Sequence, residues 1–154
     1  MFFNARSLKS KLADFNALLA NDNFDIICVV ESWLNDTVTD AMLTNGLPFN
    51  VIRLDRPSRG GGVLVCYRSN IICGPPTFSS VSEGLHLDFV QSRFRLVLGY
   101  LPDGKEPNAI LEMCNFLRDS ISTDYTSIVV GDFNMSSIDW SALSVSAGVS
   151  MSLF

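Results

Sequence analysis

The feature that most constrains this chain is an unbroken apolar run, Ile26–Val30, set between Asp25 and Glu31. A strand with one solvated face alternates apolar and polar residues, whereas a run without alternation is typical of a strand covered on both faces. A similar run, Ile128–Val130, predicts a second buried strand. Apolar residues at helical spacing flank these runs, so we expect a sheet covered by helices. The helical stripes are Leu8, Leu12, Phe15, Leu18 and Leu19, and Ile110, Leu111, Cys114, Leu117 and Ile121.

Between the helical stripes lie β-type segments separated by clusters of Gly, Pro and Ser. They predict strands over Phe49–Leu54, Gly62–Arg68, Leu85–Gln91 and Arg93–Leu101, and a short helix over Thr37–Thr44 precedes them. The predicted fold class is therefore α/β (α+β) with a largely antiparallel centre. At 154 residues, we expect one domain over residues 1–154.

Charge and hydropathy exclude several classes of protein. Hydrophobic residues make up 47% of the chain, which is too many for a disordered protein. The net charge of −5 argues against a broad basic face for nucleic acid, but it is compatible with a site that holds a cation. No secretory signal and no apolar run of about 20 residues is present, so we expect an intracellular protein without a membrane partner. The four cysteines form no Cys-x-x-Cys pair and are interpreted as reduced packing residues.

Several polar side chains directly follow apolar strand segments. Asn4 follows Phe2-Phe3, Glu31 ends the first buried run, and Asp132 and Asn134 end the second. In open α/β sheets, ligands bind outside the carboxyl ends of strands, so these side chains are expected to share one crevice. Carboxylate and amide oxygens suit Mg²⁺ or Mn²⁺ better than zinc. The alternative is that each residue merely forms the polar turn that ends its strand.

The order of the motifs around these residues resembles the endonuclease/exonuclease/phosphatase superfamily. The motifs are Asn4–Leu8 (NARSL), Val30–Leu34 (VESWL), Arg59–Val63 (RGGGV), Gly99–Pro102 (GYLP) and Val130–Asn134 (VGDFN). The resemblance is to the endonuclease domain of LINE-type (non-LTR) retrotransposons in particular. It runs from Asn4 to about Trp140.

This resemblance implies a four-layer α/β/β/α sandwich of the DNase-I-like type and a Mg²⁺-dependent hydrolase, a nuclease with DNA as its substrate. Glu31 would bind the metal, with Asn4 beside it, and Asp132 would accept a proton from the attacking water or orient it. Asn134 would hold that water or a phosphate oxygen, and Tyr100 would contact the phosphate. Arg6, Trp33 and Arg68 are candidates for contact with a DNA backbone. Action on genomic DNA would place the protein in the nucleus.

The sequence departs from the family pattern at one point. The family ends with a catalytic Ser-Asp-His motif on a last strand, and this sequence contains no such motif. The expectation is therefore a domain incomplete at the C-terminus that lacks its last strands. His86, the one histidine, alternates with Leu85 and Leu87 and is expected on a solvated face. A non-catalytic remnant and an acidic protein-binding module stay open as alternatives, and the oligomeric state is not indicated.

Three consecutive glycines, Gly60–Gly62, resemble a phosphate-binding loop only superficially. They lack the Gly-Lys-Ser/Thr ending of such a loop, and they precede a strand instead of a helix. We therefore interpret them as a β-bulge or a close approach of the backbone to a neighbouring element.

Overall fold

The strands form two mixed sheets that lie face to face. The computed structural model describes residues 1–21, 23–58, 60–135, 138–139 and 144–145. Within these residues, the first sheet has the order β1-β2-β4-β3 and the second the order β5-β6-β7-β8, while β9 and β10 form a separate pair. The strands are β1 (Phe2–Asn4), β2 (Ile26–Val30), β3 (Phe49–Leu54), β4 (Val63–Arg68), β5 (Thr77–Phe78), β6 (Glu83–Phe89), β7 (Phe94–Tyr100), β8 (Thr126–Asp132), β9 (Ile138–Asp139) and β10 (Ser144–Val145). The helices are α1 (Leu12–Ala20), α2 (Asp40–Thr44) and α3 (Pro107–Ser120).

Each of the two large sheets contains one parallel pair at its edge. In the first sheet β1 runs parallel to β2, and in the second β7 runs parallel to β8. The other neighbours are antiparallel, as the hairpin-like sequence predicted. Asn4 and Val30 are register partners, and so are Tyr100 and Asp132. Because parallel neighbours end at the same side of a sheet, the two members of each pair lie side by side.

Two hydrophobic clusters fill the spaces between the layers. One packs α1 and α2 against the outer face of the first sheet, with Phe15 and Leu43 meeting Ile27 and Leu64. The other fills the space between the sheets with alternate residues of both. Helix α3 covers the outer face of the second sheet, where Phe116 and Met113 lie over its glycines. The predicted four-layer α/β/β/α sandwich is confirmed.

The helix ends follow local chemistry. Pro107 begins α3, where its missing N–H costs no helical hydrogen bond. The Thr39 hydroxyl accepts a hydrogen bond from the Met42 backbone N–H and caps α2, so this helix begins three residues later than the sequence suggested. Asn45 ends it in the left-handed conformation, with φ of 49°. No helix among the described residues is long and apolar enough to cross a membrane.

The cysteines are free thiols, as predicted, and their burial follows the packing. Cys28 and Cys66 lie buried in β2 and β4, while Cys73 and Cys114 are half-buried. Burial raises the pKa of the Cys28 thiol to about 11 and that of the Cys66 thiol to about 12. Both thiols therefore stay protonated near neutral pH, which fits a packing role.

Two sequence predictions about exposure are wrong. Ile128 and Val129 of β8 were expected to be buried, yet they are 44% and 42% exposed. In the described part of the chain, β8 pairs only with β7, and α3 packs over β6 and β7. His86 was expected on a solvated face, but it is half-buried and its Nδ1 lies 3.1 Å from the Ser120 hydroxyl at the end of α3. An apolar or polar strand pattern does not reveal which faces a helix will cover.

Candidate functional site

The carboxyl ends of β1, β2, β7 and β8 meet at one corner of the sandwich. Asn4 ends β1, Glu31 follows β2, Tyr100 ends β7, and Asp132 ends β8. Asn4 Nδ2 donates to Glu31 Oε1 and to Asp132 Oδ2, at 2.9 Å in both cases. The Tyr100 hydroxyl also donates to Glu31 Oε1, at 2.9 Å. The structure thus brings Asn4, Glu31, Tyr100 and Asp132, predicted from the sequence, into one hydrogen-bonded group.

A backbone contact holds the Asn4 side chain in this orientation. The Arg6 backbone N–H donates to Asn4 Oδ1 at 3.1 Å, so the opposite side of the amide, its NH₂ group, faces the two carboxylates. Arg6 and the next residue, Ser7, adopt positive φ values of 44° and 87° as the chain turns away from β1. Asn4 therefore bridges the ends of the two sheets through a group whose orientation is set within its own turn.

Glu31 occupies an unusual backbone conformation. Its φ is +51°, in a region that side chains other than those of Gly, Asn and Asp rarely adopt. Its carbonyl oxygen accepts a hydrogen bond from the Ser7 N–H at 2.9 Å, which joins its loop to the turn after β1. Such conformations cost free energy and persist only where surrounding contacts fix them, and they are common at functional sites.

Tyr100 is a protonated donor at this corner. The residue is 6% exposed, and burial, followed by its hydrogen bond to Glu31, raises the pKa of its hydroxyl well above 10. The phenol therefore keeps its proton throughout the neutral and mildly alkaline range, and it can stabilise negative charge on Glu31 or on a bound anion.

Asn134 lies beside the group without joining it. Its Nδ2 donates to the Leu101 carbonyl at 2.9 Å, and the Leu101 N–H donates to the Asp132 carbonyl at 3.0 Å. Asn134 is exposed and has a φ of +47°. The loop after β8 is thus tied to the end of β7, and the Asn134 amide stands at the rim of the corner.

An open cleft of about 570 Å³ is lined by cations and by residues that closely follow Asn4 and Glu31 in the chain, although none of the four corner residues lines it. Arg6, Lys9 and Arg56 line it together with Trp33, and its described lining contains no acidic residue. This is notable in a chain whose net charge is −5. Arg68, also suggested as a DNA contact, lies at the far end of β4, where it pairs with Asp25 at 3.0 Å. The structure therefore places Arg6 and Trp33 near the site and Arg68 away from it.

Sequence reasoning missed Lys9, Arg56 and Glu83 near the site. Glu83 begins β6 and contacts the glycine loop through Gly62. The sequence contains one sign that Glu83 is buried. Glu83 occupies the next position of the apolar alternation that continues through Leu85 and Leu87.

Comparison with known proteins agrees with this fold. A sequence model of the Endonuclease/Exonuclease/phosphatase family matches residues 1–148. The fold is similar to that of an AP endonuclease from Archaeoglobus fulgidus, with 16% identity and a TM-score of 0.70, over 90% of this chain and 58% of that one. It is also similar to a 3′ phosphatase from Neisseria bound to a product DNA hairpin, with 18% identity and a TM-score of 0.72, over 90% and 58% of the two chains. A third similar structure is an AP endonuclease from Leishmania major, with 16% identity and a TM-score of 0.63, over 90% and 55%.

These similarities cover only part of each known structure. The chain spans about 58% of the length of the first solved structures it matches. No sequence among the curated proteins matches it. At these identities the structural similarity establishes the fold, and the family model establishes the sequence relationship.

Proposed function

This chain belongs to the endonuclease/exonuclease/phosphatase family, and on that premise we propose that it is a Mg²⁺-dependent phosphodiesterase that cleaves DNA, an endonuclease domain of the LINE-type retrotransposon kind. The observation that carries the proposal is the bridge from Asn4 Nδ2 to Glu31 and Asp132 at 2.9 Å each. Three strands from two sheets deliver these groups to one point, where they can act on one substrate atom.

The donor chemistry of the corner fits a magnesium or manganese ion. Among the described residues, no group of three or more His, Cys, Asp or Glu side chains is arranged to hold a metal. Mg²⁺ does not require such a cage, because it is commonly held by one or two carboxylates and keeps several waters. Glu31 would hold the ion, with Asn4 beside it. When bound, the ion would supply positive charge that stabilises the phosphoryl oxygens of a substrate.

The chain's own residues supply the remaining chemistry. Asp132 would accept the proton of the attacking water, and Asn4 holds its carboxylate in place through Oδ2. Tyr100, which remains protonated, would donate to a phosphate oxygen or keep Glu31 oriented. Asn134, anchored to the Leu101 carbonyl, would hold the water or a phosphate oxygen.

The cation-lined cleft supports DNA as the substrate. Arg6 and Lys9 would neutralise backbone phosphates beside an otherwise acidic corner, and Trp33 lines the same cleft. The similar Neisseria phosphatase holds a product DNA hairpin. Because these contacts are electrostatic, the affinity for DNA is expected to fall as the salt concentration rises.

A second candidate function is metal or partner binding without catalysis. The observation that favours it is the position of His86, the one histidine of this sequence. The single histidine, His86, contacts Ser120 under α3 and pairs in register with Val97 in mid-strand, so it is not available at the corner. Loss of one acid–base group commonly costs about 10²–10⁴ in rate.

Plasmid nicking tests the proposal. Purified protein is incubated with supercoiled DNA in Mg²⁺ and in EDTA, beside Asp132→Ala and the matched control Asp88→Ala, which removes a carboxylate from the opposite region of the second sheet. We expect Mg²⁺-dependent nicking that falls by about 10²-fold or more in Asp132→Ala and stays unchanged in Asp88→Ala. Nicking that is equal in the wild type and Asp132→Ala, or absent from both, would overturn the phosphodiesterase proposal and leave the binding function.

A further inference from the structure

Glu83 places a carboxylate on the buried face of the second sheet. Along β6 the residues that face the first sheet are Leu85, Leu87 and Phe89, and Glu83 is the next position of that alternating row. Its side chain is 15% exposed. A carboxylate in such a position is costly unless it is hydrogen-bonded or paired, so its contacts indicate why the position is not apolar.

Both oxygens of Glu83 are used to hold the neighbouring loop. Glu83 Oε2 accepts a hydrogen bond from the Gly62 backbone N–H at 2.5 Å, and Oε1 lies 3.2 Å from Arg56 Nη1. Burial raises the pKa of the Glu83 carboxyl, while Gly62 and Arg56 oppose that shift. The carboxylate thus joins the start of β6 in the second sheet to the start of β4 in the first.

The loop that Glu83 holds is the triple-glycine segment Gly60–Gly62. Its φ values are +93°, +67° and +84°, which favour glycine at each position. A Cβ atom on Gly61 would collide with the Glu83 carboxylate, and one on Gly62 would lie 2.6 Å from the Ser32 hydroxyl. The predicted close approach of the backbone is confirmed, and Glu83 is one of the groups approached.

The same loop sets the backbone that carries Glu31. The Gly62 carbonyl accepts a hydrogen bond from the Ser32 N–H at 3.2 Å, and the Gly61 carbonyl accepts one from the Trp33 N–H at 2.9 Å. Ser32 directly follows Glu31, whose φ is +51°. A continuous path of hydrogen bonds therefore runs from the Glu83 carboxylate through Gly62 to the residue after Glu31.

We infer that Glu83 is a positioning residue for Glu31: through the triple-glycine loop it fixes the strained backbone from which the Glu31 carboxylate reaches the metal site. The inference rests on the proposed function. Glu83 and Tyr100 are register partners in β6 and β7, so the second sheet holds Glu31 twice, by its backbone through Glu83 and by its carboxylate through Tyr100. Residues that orient a metal ligand typically contribute about 10–100-fold to metal affinity.

Mn²⁺ titration of the full chain, followed by electron paramagnetic resonance of the free ion, tests the inference. The variants are Glu83→Ala, Glu83→Gln, Glu31→Ala and the control Asp88→Ala, whose carboxylate pairs with Arg95 on the same sheet, away from the glycine loop. We expect Glu83→Ala to weaken Mn²⁺ binding by about 10-fold or more. Glu83→Gln, which keeps an acceptor for the Gly62 N–H, should restore most of the affinity, and Asp88→Ala should leave it unchanged.

The outcomes separate this inference from the proposed function. If the wild type does not bind Mn²⁺, or Glu31→Ala binds it equally well, the metal site of the proposed function fails. If the wild type binds through Glu31 and folded Glu83→Ala binds with the same affinity, the positioning role is overturned. Equal losses in Glu83→Ala and Glu83→Gln would also overturn it, because the hydrogen bond would not be the cause. Should Glu83→Ala not fold, Glu83→Leu, which extends the apolar row of β6, takes its place.

Discussion

Asn4 Nδ2 lies 2.9 Å from Asp132 Oδ2, although 128 positions separate the two residues along the chain. Asn4 ends an edge strand of the first sheet and Asp132 ends an edge strand of the second. One amide therefore joins the two sheets at the corner where Glu31 and Tyr100 also meet. The relative position of the sheets is thus coupled to the geometry of the candidate active site.

Replacement of Asn4 by alanine is expected to impair both activity and stability. Asn4→Ala removes the donor shared by Glu31 and Asp132, so the two carboxylates lose their common orientation. We expect plasmid nicking to fall by roughly 10-fold or more. The free energy of unfolding should fall by about 1–3 kcal/mol, because partly buried acceptors lose a hydrogen bond. Nicking assays and urea unfolding measure the two effects.

Asn16→Ala is the matched control for Asn4→Ala. Asn16 Nδ2 donates to the Leu43 carbonyl at 2.6 Å, between α1 and α2 and away from the corner. The Asn16→Ala variant should lower the free energy of unfolding by an amount similar to that of Asn4→Ala and leave nicking unchanged. Equal losses of nicking in both variants would show that the effect of Asn4 is general destabilisation.

The triple-glycine loop also gives a prediction about stability. Gly62→Ala places a methyl group at a φ of +84° and 2.6 Å from the Ser32 hydroxyl, whereas Gly104→Ala has a φ of +67° and meets no atom within 4 Å. Gly104→Ala should therefore cost about 1 kcal/mol from its backbone conformation alone. Gly62→Ala should cost about 2–4 kcal/mol, since the methyl group also forces the packed backbone to move. Thermal unfolding of both variants checks this, and equal costs would contradict the close approach.

The sequence predicted the parts of the structure that depend on local pattern. The strand Phe49–Leu54 has the predicted bounds, and the predicted stripe residues Ile110 and Leu117 lie in α3. The convergence of Asn4, Glu31 and Asp132 followed from their positions at strand ends, because parallel strands end at the same side of a sheet. These features need no knowledge of which element lies above which.

The parts that failed depend on distant packing. The Glu83 contact with Gly62 crosses between sheets and spans 21 positions, and no local pattern encodes it. The exposure of Ile128 and the covering of His86 depend on where α3 lies over the second sheet. Such contacts require the arrangement of layers, which a single sequence specifies only through the whole fold.

The Asp88–Arg95 pair predicts a pH dependence of stability. Arg95 contacts both oxygens of Asp88, at 2.6 and 2.7 Å, and these hydrogen bonds lower the pKa of the Asp88 carboxyl below its usual value. The unfolded chain then binds a proton more readily than the folded one. The stabilisation is present above about pH 4 and is lost as the pH falls through the lower, folded-state pKa.

Asp88→Asn should remove this contribution. Because the pair is partly solvated, we expect a change of about 1 kcal/mol or less at neutral pH and a flatter decline of the melting temperature below about pH 4. The exposed pair Arg118–Asp119 supplies the control, and Asp119→Asn should follow the wild-type curve. Parallel acid curves for Asp88→Asn and the wild type would contradict the assignment.

The exposed edge strand β8 gives the last prediction, because it reverses what the apolar run suggested. Val129 is 42% exposed, whereas Val97 of the adjacent strand is 0% exposed, and the two are register partners. Val97→Ala should lower the free energy of unfolding by about 2 kcal/mol through lost burial and an unfilled cavity. Val129→Ala should cost less than about 0.5 kcal/mol, as surface substitutions do. Urea unfolding of the two variants compares them directly. If Val129→Ala costs as much as Val97→Ala, the Val129 side chain is buried in solution, as the apolar run predicted.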